Sequence, residues 1–285
     1  MDMSGFYGQM YGKYLEDVPD KEAYLERIGL KGAQIPLTKE GLDKLQWAQL
    51  RHVPFENVDI YDYGVHVDFG IAELFEKIVV HKRGGYCYEL NSLFMALLKG
   101  LGFEVFPIGV RIIMGGNDDY IPAISHRGSI VTIDGKRYFA DVGFGMTNAP
   151  GASICIDDYD RQDIRGQAFT VEDRPYNNKM IIMQTEAGPS NLFRFVPEPF
   201  QIADFVTYNT FMAMTGWRAK RIANLRTDAG AISVDGDIFR TTVGDERTES
   251  KIESAVDAMR ILTEKFGMKL DKELRDMATD SRFPF

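Results

Sequence analysis

Three residues in this chain have the types and settings that nucleophilic chemistry needs. Cys87 follows Gly84-Gly85-Tyr86 and opens a run in which Leu90, Leu93, Phe94, Leu97, Leu98 and Leu101 recur at helical spacing. The first turn of a helix carries unpaired backbone N–H groups and the positive end of the helix dipole, so a thiolate is favoured there. The same N–H groups could hold the oxyanion that forms when a thiol attacks a carbonyl. A small apolar thiol packed among leucines is the plainer alternative. A nucleophilic thiol also needs a base, and the sequence holds four histidines. His52 follows a helical run in Arg51-His52-Val53-Pro54, His66 lies in a Gly- and Asp-bounded loop, and His81 precedes the glycine turn, so each reads as a surface or packing residue.

His126 differs because it opens a strand whose partner ends at a carboxylate. Asp134-Gly135 predicts a two-residue hairpin turn that pairs Ile133 with Lys136. Continuing that register brings Asp141 opposite Gly128. Residues 126 and 128 share a strand face, which makes His126 and Asp141 diagonal neighbours within reach of an imidazole–carboxylate hydrogen bond. Cys87, His126 and Asp141 together match a nucleophile, its base and the group that orients the base. Asp141 begins Asp141-Val142-Gly143-Phe144-Gly145. The glycines there read either as positive-φ positions or as a loop where a substrate or cofactor backbone can approach closely.

The elements that must position these groups fall into three stretches. Helical spacing covers 21–28 and 38–52, the second with Thr38 as N-cap, a stripe of Leu42, Leu45, Trp47 and Leu50, and Pro54 as its stop. A helix over 72–80 precedes the break at Arg83-Gly84-Gly85, and the helix from Cys87 meets Gly100 and Gly102 as C-terminal stops. The pattern then predicts strands over 105–114, 127–133, 136–142, 180–184 and 192–196, with 157–165 as a charged, exposed loop. The last third predicts a helix over 204–214, a hairpin around Val234-Asp235-Gly236-Asp237 and a helix over 249–266.

Composition sets the class. With 285 residues, 45% hydrophobic and 26% charged, the chain can bury a sizeable core. A net charge of −9 argues against nucleic acid or an anionic membrane as the main partner, since phosphates need a surplus of Lys and Arg. The stretch 1–27 alternates charges with Tyr and Gly and reads as neither a secretory signal nor a membrane span. Glu89, Lys99, Glu104 and Arg111 interrupt the most apolar stretch well short of the roughly 20 residues a span requires. Two cysteines, Cys87 and Cys155, make no disulfide framework and no metal spacing, so no metal is expected and a reducing cytoplasm is the expected setting.

Arg83-Gly84-Gly85-Tyr86-Cys87-Tyr88-Glu89-Leu90-Asn91 resembles the RGGxCxELN signature of the arylamine N-acetyltransferase family. Tyr24-Leu25-Glu26-Arg27-Ile28-Gly29, Pro54-Phe55-Glu56-Asn57-Val58-Asp59-Ile60, and His126 with Asp141-Val142-Gly143-Phe144-Gly145 are similar to further family segments, in the family's order. The resemblance implies an α+β fold: an N-terminal helical bundle (1–100), a central β-barrel (101–203) and a C-terminal α/β lid (204–285), around a papain-like Cys-His-Asp core. It also implies acetyl-CoA as co-substrate, an arylamine or arylhydrazine acceptor and a ping-pong route through acetylated Cys87. By the same resemblance Phe55 and Phe144 line the acceptor pocket, and Ser125 and Gly145 border the coenzyme A path. Arg83 and Glu56 read as a buried ion pair that shapes the site, and a packing role alone is the alternative.

The final third departs from that family pattern. Asp204-Phe205 leads to Asn209-Thr210-Phe211 and Thr215-Gly216-Trp217, without the Ser-x-Phe that the resemblance would place there. A macrolactam-forming amide synthase of the same fold, a papain- or transglutaminase-type hydrolase and a non-catalytic binding protein are the alternatives. The RGGxCxELN context argues against the hydrolase, and three intact triad residues argue against the binder.

Overall fold

The computed structural model describes residues 8, 10–114, 121–244 and 246–276, so residues 1–7 and 9 of the N-terminal stretch lie outside the described residues. Local chemistry sets the helix starts. Asp20 accepts from the Ala23 N–H at 3.0 Å and caps α1 (Lys21–Arg27). Thr38 accepts from the Gly41 N–H at 3.3 Å and caps α2 (Lys39–His52), as the sequence predicts. A short turn α3 (Val58–Tyr61) and α4 (Ile71–Phe75) follow, and a π-helical turn over Glu76–Val80 continues α4. The central helix α5 (Cys87–Leu101) ends at Gly102, whose φ of 104° suits only glycine. Its residues from Cys87 to Leu98 are buried all round, so α5 is a core helix and not a surface one. The later helices are α6 (Ile202–Met214) and α7 (Ala255–Glu264).

Thirteen strands form two antiparallel sheets among the described residues. They are β1 (Phe55–Glu56), β2 (Glu104–Ile112), β3 (His126–Ile133), β4 (Lys136–Ala140), β5 (Ile154–Cys155), β6 (Gln162–Ile164) and β7 (Gln167–Arg174). Then come β8 (Asn178–Thr185), β9 (Gly188–Phe195), β10 (Ile222–Arg226), β11 (Gly230–Asp235), β12 (Ile238–Val243) and β13 (Glu246–Lys251). The larger sheet runs β5-β4-β3-β2-β9-β8-β7-β6 and curls into a nearly closed eight-stranded barrel. Its two edges meet through one side chain: Gln162 donates from Nε2 to the Cys155 carbonyl and accepts the Cys155 N–H at Oε1, both at 2.8 Å. That amide supplies the hydrogen bonds that another strand would make. The smaller sheet, β1-β10-β11-β12-β13, pairs Phe55 with Asn224 and Glu56 with Ala223. A second core of Ala223, Val234, Ala258, Ile261 and Leu262 joins it to α7.

Two expectations change here. Residues 157–165 are not only loop, because Gln162–Ile164 is β6 and pairs with Gln167–Phe169 of β7. The expected helix over 249–266 begins later, at Ser254, whose side chain accepts the Asp257 N–H at 3.1 Å. Residues Glu246–Lys251 are instead the fully exposed edge strand β13. Alternating charges suit a solvated edge, which they protect from pairing with other chains, as well as they suit a solvated helix. The pattern alone therefore does not separate the two.

Candidate active site

The hairpin expected at Asp134-Gly135 forms: both residues have positive φ (50° and 75°), and Ile133 pairs with Lys136 through to Ser129 with Ala140. Continuing that ladder by one residue brings Asp141 level with Gly128, beside His126. The His126 Nε2 lies 2.6 Å from Asp141 Oδ2, and both residues are buried. With Nε2 engaged, Nδ1 is the ring nitrogen left to take a proton from a thiol. The ring packs parallel to Phe193 at 6.1 Å and edge-on to Phe144 at 6.2 Å, which excludes water from the pair. His52, His66 and His81 are exposed, as expected of surface residues.

Cys87 is the first residue of α5 and is 2% exposed. Its own N–H and that of Tyr88 favour the thiolate, as the helix-start position predicts. Burial outweighs them and, with the Asp141 carboxylate nearby, pushes the thiol well above its ordinary range. The helix start and the burial therefore act on this thiol in opposite directions. Its thiolate requires a proton acceptor beside it. The carboxylate of Glu89 completes the helix start by accepting the Tyr86 N–H at 3.0 Å.

The connection between the helix of Cys87 and the Asp141 carboxylate is Asn91, whose role the sequence reading does not assign. It lies four residues beyond Cys87 and so on the same helix face. Asn91 Nδ2 donates to Asp141 Oδ1 at 2.8 Å and to the Arg127 carbonyl at 2.5 Å, while its Oδ1 accepts the Val142 N–H at 3.0 Å. The i,i+4 spacing from the cysteine was the signal available for it. Gly143 N–H also donates to Asp141 Oδ1, at 2.8 Å. Neither Gly143 nor Gly145 has positive φ, and it is this chain that approaches them closely. A Cβ at 143 would stand 2.8 Å from Cys87 Cα, and one at 145 would stand 2.6 Å from the Phe55 ring.

The other expected site residues divide into three groups. Phe55 and Phe144 come together on one small cavity of about 20 Å³, with Val53, Val142 and Asn224, room for a single water. Phe55 also packs against Trp217 at 5.2 Å, so the segment lacking Ser-x-Phe contributes a large aromatic beside the pocket. Gly145 lies against Phe55 and accepts from Asn224 Nδ2 at 2.5 Å, whereas Ser125 precedes β3 and donates its N–H to Val110 at 3.2 Å. Arg83 and Glu56 do pair, at 2.9 Å, within a larger buried network. Arg83 also bonds Asp59, and Lys77 bridges Asp59 and Glu89 at 2.7 Å each. The network reaches the carboxylate of Glu89 that caps α5.

Comparison with known proteins gives the family. A family model described as N-acetyltransferase matches residues 38–275. Arylamine N-acetyltransferase 1 of Bos taurus is 30% identical over 232 residues, covering 74% of this chain and 79% of the relative. The structure of Mycobacterium smegmatis arylamine N-acetyltransferase superposes with a TM-score of 0.80 at 28% identity, covering 87% of this chain and 92% of that one. The Mycobacterium marinum enzyme, solved in complex with CoA, gives a TM-score of 0.80 at 25% identity over 88% and 93% of the two chains. An acyl-transferring enzyme is the class that fold and family define. The chain belongs to the arylamine N-acetyltransferase family.

Proposed function

We propose that this enzyme moves an acetyl group from acetyl-CoA to an arylamine or arylhydrazine by a ping-pong route through acetylated Cys87. The buried His126–Asp141 hydrogen bond, joined by Asn91 to the helix that begins at Cys87, carries this reading. Because burial raises the thiol, its proton passes to His126 Nδ1 as Sγ attacks the acetyl carbonyl. The S–C bond to Cys87 forms, the bond to the coenzyme A sulfur breaks, and the imidazolium returns the proton to the departing thiolate. Asp141 holds the ring in the required tautomer and stabilises its charge. The backbone N–H groups at the start of α5 are the donors for the oxyanion.

In the second half the acceptor amine attacks the acetyl-cysteine, His126 takes the amine proton, and Cys87 is released. The aromatic side chains of Phe55, Phe144, Phe193 and Trp217 give that acceptor a planar, apolar surround. An arylamine is largely unprotonated at neutral pH and so arrives as a nucleophile. The M. marinum relative's complex with CoA supports coenzyme A as the carrier. Two cysteines without a disulfide suit a reducing cytoplasm, and no helix among the described residues is long and apolar enough to cross a membrane.

The test is acetyl-CoA turnover by wild type and Cys87→Ser with a panel of anilines and arylhydrazines, following free thiol and acetylated amine together. Both products are expected from the wild type and neither from the variant, with an acetyl mass gain on the Cys87 peptide when the acceptor is withheld. Thiol release without acetylated amine would mark a hydrolase. Inertness of the wild type towards the whole panel would move the weight to an amide synthase.

A further inference from the structure

Arg127 is 1% exposed and among the largest fully buried side chains in the structure. The other buried arginine of that size, Arg221, pairs with Asp62. Arg127 has no such partner among the described residues. Its Nη1 donates to Ser92 Oγ at 2.6 Å, Nη2 lies 3.6 Å from Met95 Sδ, and Nε has no hydrogen-bond partner. The guanidinium sits 4.7 Å from the Phe205 ring and 5.9 Å from that of Phe69. One hydroxyl and two aromatic faces offset only part of the cost of burying a cation. Burial lowers its pKa to about 9, which leaves it charged at neutral pH.

The surroundings of this charge point to its use. Ser92 donates in turn to the Tyr88 carbonyl, so the guanidinium is clasped to the first turns of α5, the helix that Cys87 opens. The acids that interact with it are the Cys87 thiol and the Tyr88 phenol. Around Cys87 itself stand Asp141 after β4, which holds His126 of β3, and Tyr86, Tyr88 and Glu89 from its own helix and cap. Lys77 from the π-helical turn is committed to Glu89 and Asp59. Asp141 and Glu89 both oppose a thiolate. Once the proton has moved to His126, the buried thiolate, imidazolium and Asp141 carboxylate carry a net negative charge.

We propose that Arg127 is a positioning residue that acts through Cys87: its guanidinium, without a carboxylate partner among the described residues and clasped to the helix of Cys87 by Ser92, supplies the positive field that lets the thiolate–imidazolium pair form beside Asp141. The inference rests on Cys87 being the nucleophile. Ser92 is five residues past Cys87, about 7.5 Å along the helix axis. The two positions also lie about 140° apart round the helix, so the charge stands on the order of 12 Å from the sulfur, and with an effective dielectric near 20 it moves a thiol by about one pH unit, a tenfold change in thiolate at a given pH.

The test is the pH dependence of Cys87 alkylation by iodoacetamide, read by peptide mass spectrometry so that Cys155 is scored separately. Arg127→Gln removes the charge, and Met95→Glu neutralises it in place. Each should raise the midpoint by about one pH unit. Ser92→Ala and Met95→Gln disturb the same packing without changing charge and should leave the midpoint within about 0.3 unit. An Arg127→Gln protein that is folded by circular dichroism yet titrates like the wild type overturns the proposal, as does Ser92→Ala shifting as far as Arg127→Gln. Should Arg127→Gln not fold, Met95→Glu against Met95→Gln decides by the same criterion. A wild-type Cys87 that does not titrate, together with turnover surviving in Cys87→Ser, removes the nucleophile assignment and this inference together. Titration without a charge effect removes this inference alone.

Discussion

Truncating Asn91 tests whether the site is held by one buried amide. Asn91→Ala deletes the donor to Asp141 Oδ1, the donor to the Arg127 carbonyl and the acceptor for the Val142 N–H. Asp141 Oδ1 keeps the Gly143 N–H, but Val142, which is 3% exposed, is left with an unpaired donor, and the Arg127 carbonyl loses its bond. Each buried group orphaned in this way costs about 1–3 kcal/mol, so the two together cost about 3–4 kcal/mol. For a chain of this size that corresponds to a fall in Tm of about 6–12 °C. The carboxylate also loses the tie that sets its distance from the cysteine helix. A displacement of about 1 Å at a reacting centre can cost about 100-fold, so kcat/KM should drop by about 30- to 100-fold. Asn91→Asp sharpens the test. A second carboxyl beside Asp141 has a raised pKa and can stand in as a donor only while protonated, so its activity relative to wild type should decline as pH rises. The assays are thermal melting and acetyl-CoA turnover from pH 5.5 to 8.5. If Asn91→Ala melts within about 2 °C of wild type and keeps kcat/KM within about threefold, the amide does not hold the site.

Three further outcomes are expected. Gly143→Ala puts a methyl 2.8 Å from Cys87 Cα and 3.0 Å from its carbonyl, both backbone atoms that cannot swing aside. Turnover should fall at least about tenfold in a folded protein, and wild-type rates would show that the helix start can yield. Glu89 has its pKa raised to about 7, by burial first, then by Asp59 and Glu56 against the opposing pull of Lys77. An acid raised in the folded state contributes stability that is full below about pH 4.5 and lost as pH rises through about 7. Subtracting a Glu89→Gln denaturation series from the wild-type series should therefore leave a decline of up to about 3 kcal/mol across that window, and a flat difference would contradict the assignment. Cys155 is 6% exposed on β5 and its neighbours make it structural, so Cys155→Ser should turn over acetyl-CoA near the wild-type rate. A loss as deep as that of Cys87→Ser would refute this.

The parts of the site legible in the sequence are those whose cause is local. Thr38 and Gly102 mark helix ends because a cap or a positive φ is satisfied within a few residues. Asp134-Gly135 sets the β3–β4 register for the same reason, and that register brings His126 to Asp141 across fifteen positions. Local pattern fails where two solutions share it. The charged run at Glu246–Lys251 satisfies water equally as strand edge or as helix, and the three-residue β6 is too short to show a period.

The helix-start setting of Cys87, the hairpin and the aromatic positions were thus determined by the order of residues alone. Tertiary structure decided what those residues meet. Gln162 closes the barrel edges, β1 pairs with a strand more than 160 positions away, and Trp217 comes to rest on Phe55. It also decided the electrostatics. Whether Cys87 rests as thiol or thiolate, and whether Arg127 has a counter-ion, depends on burial and on charges brought in from other strands and helices. Desolvation and Coulomb energies are set by distances through space, which chain order does not encode one residue at a time.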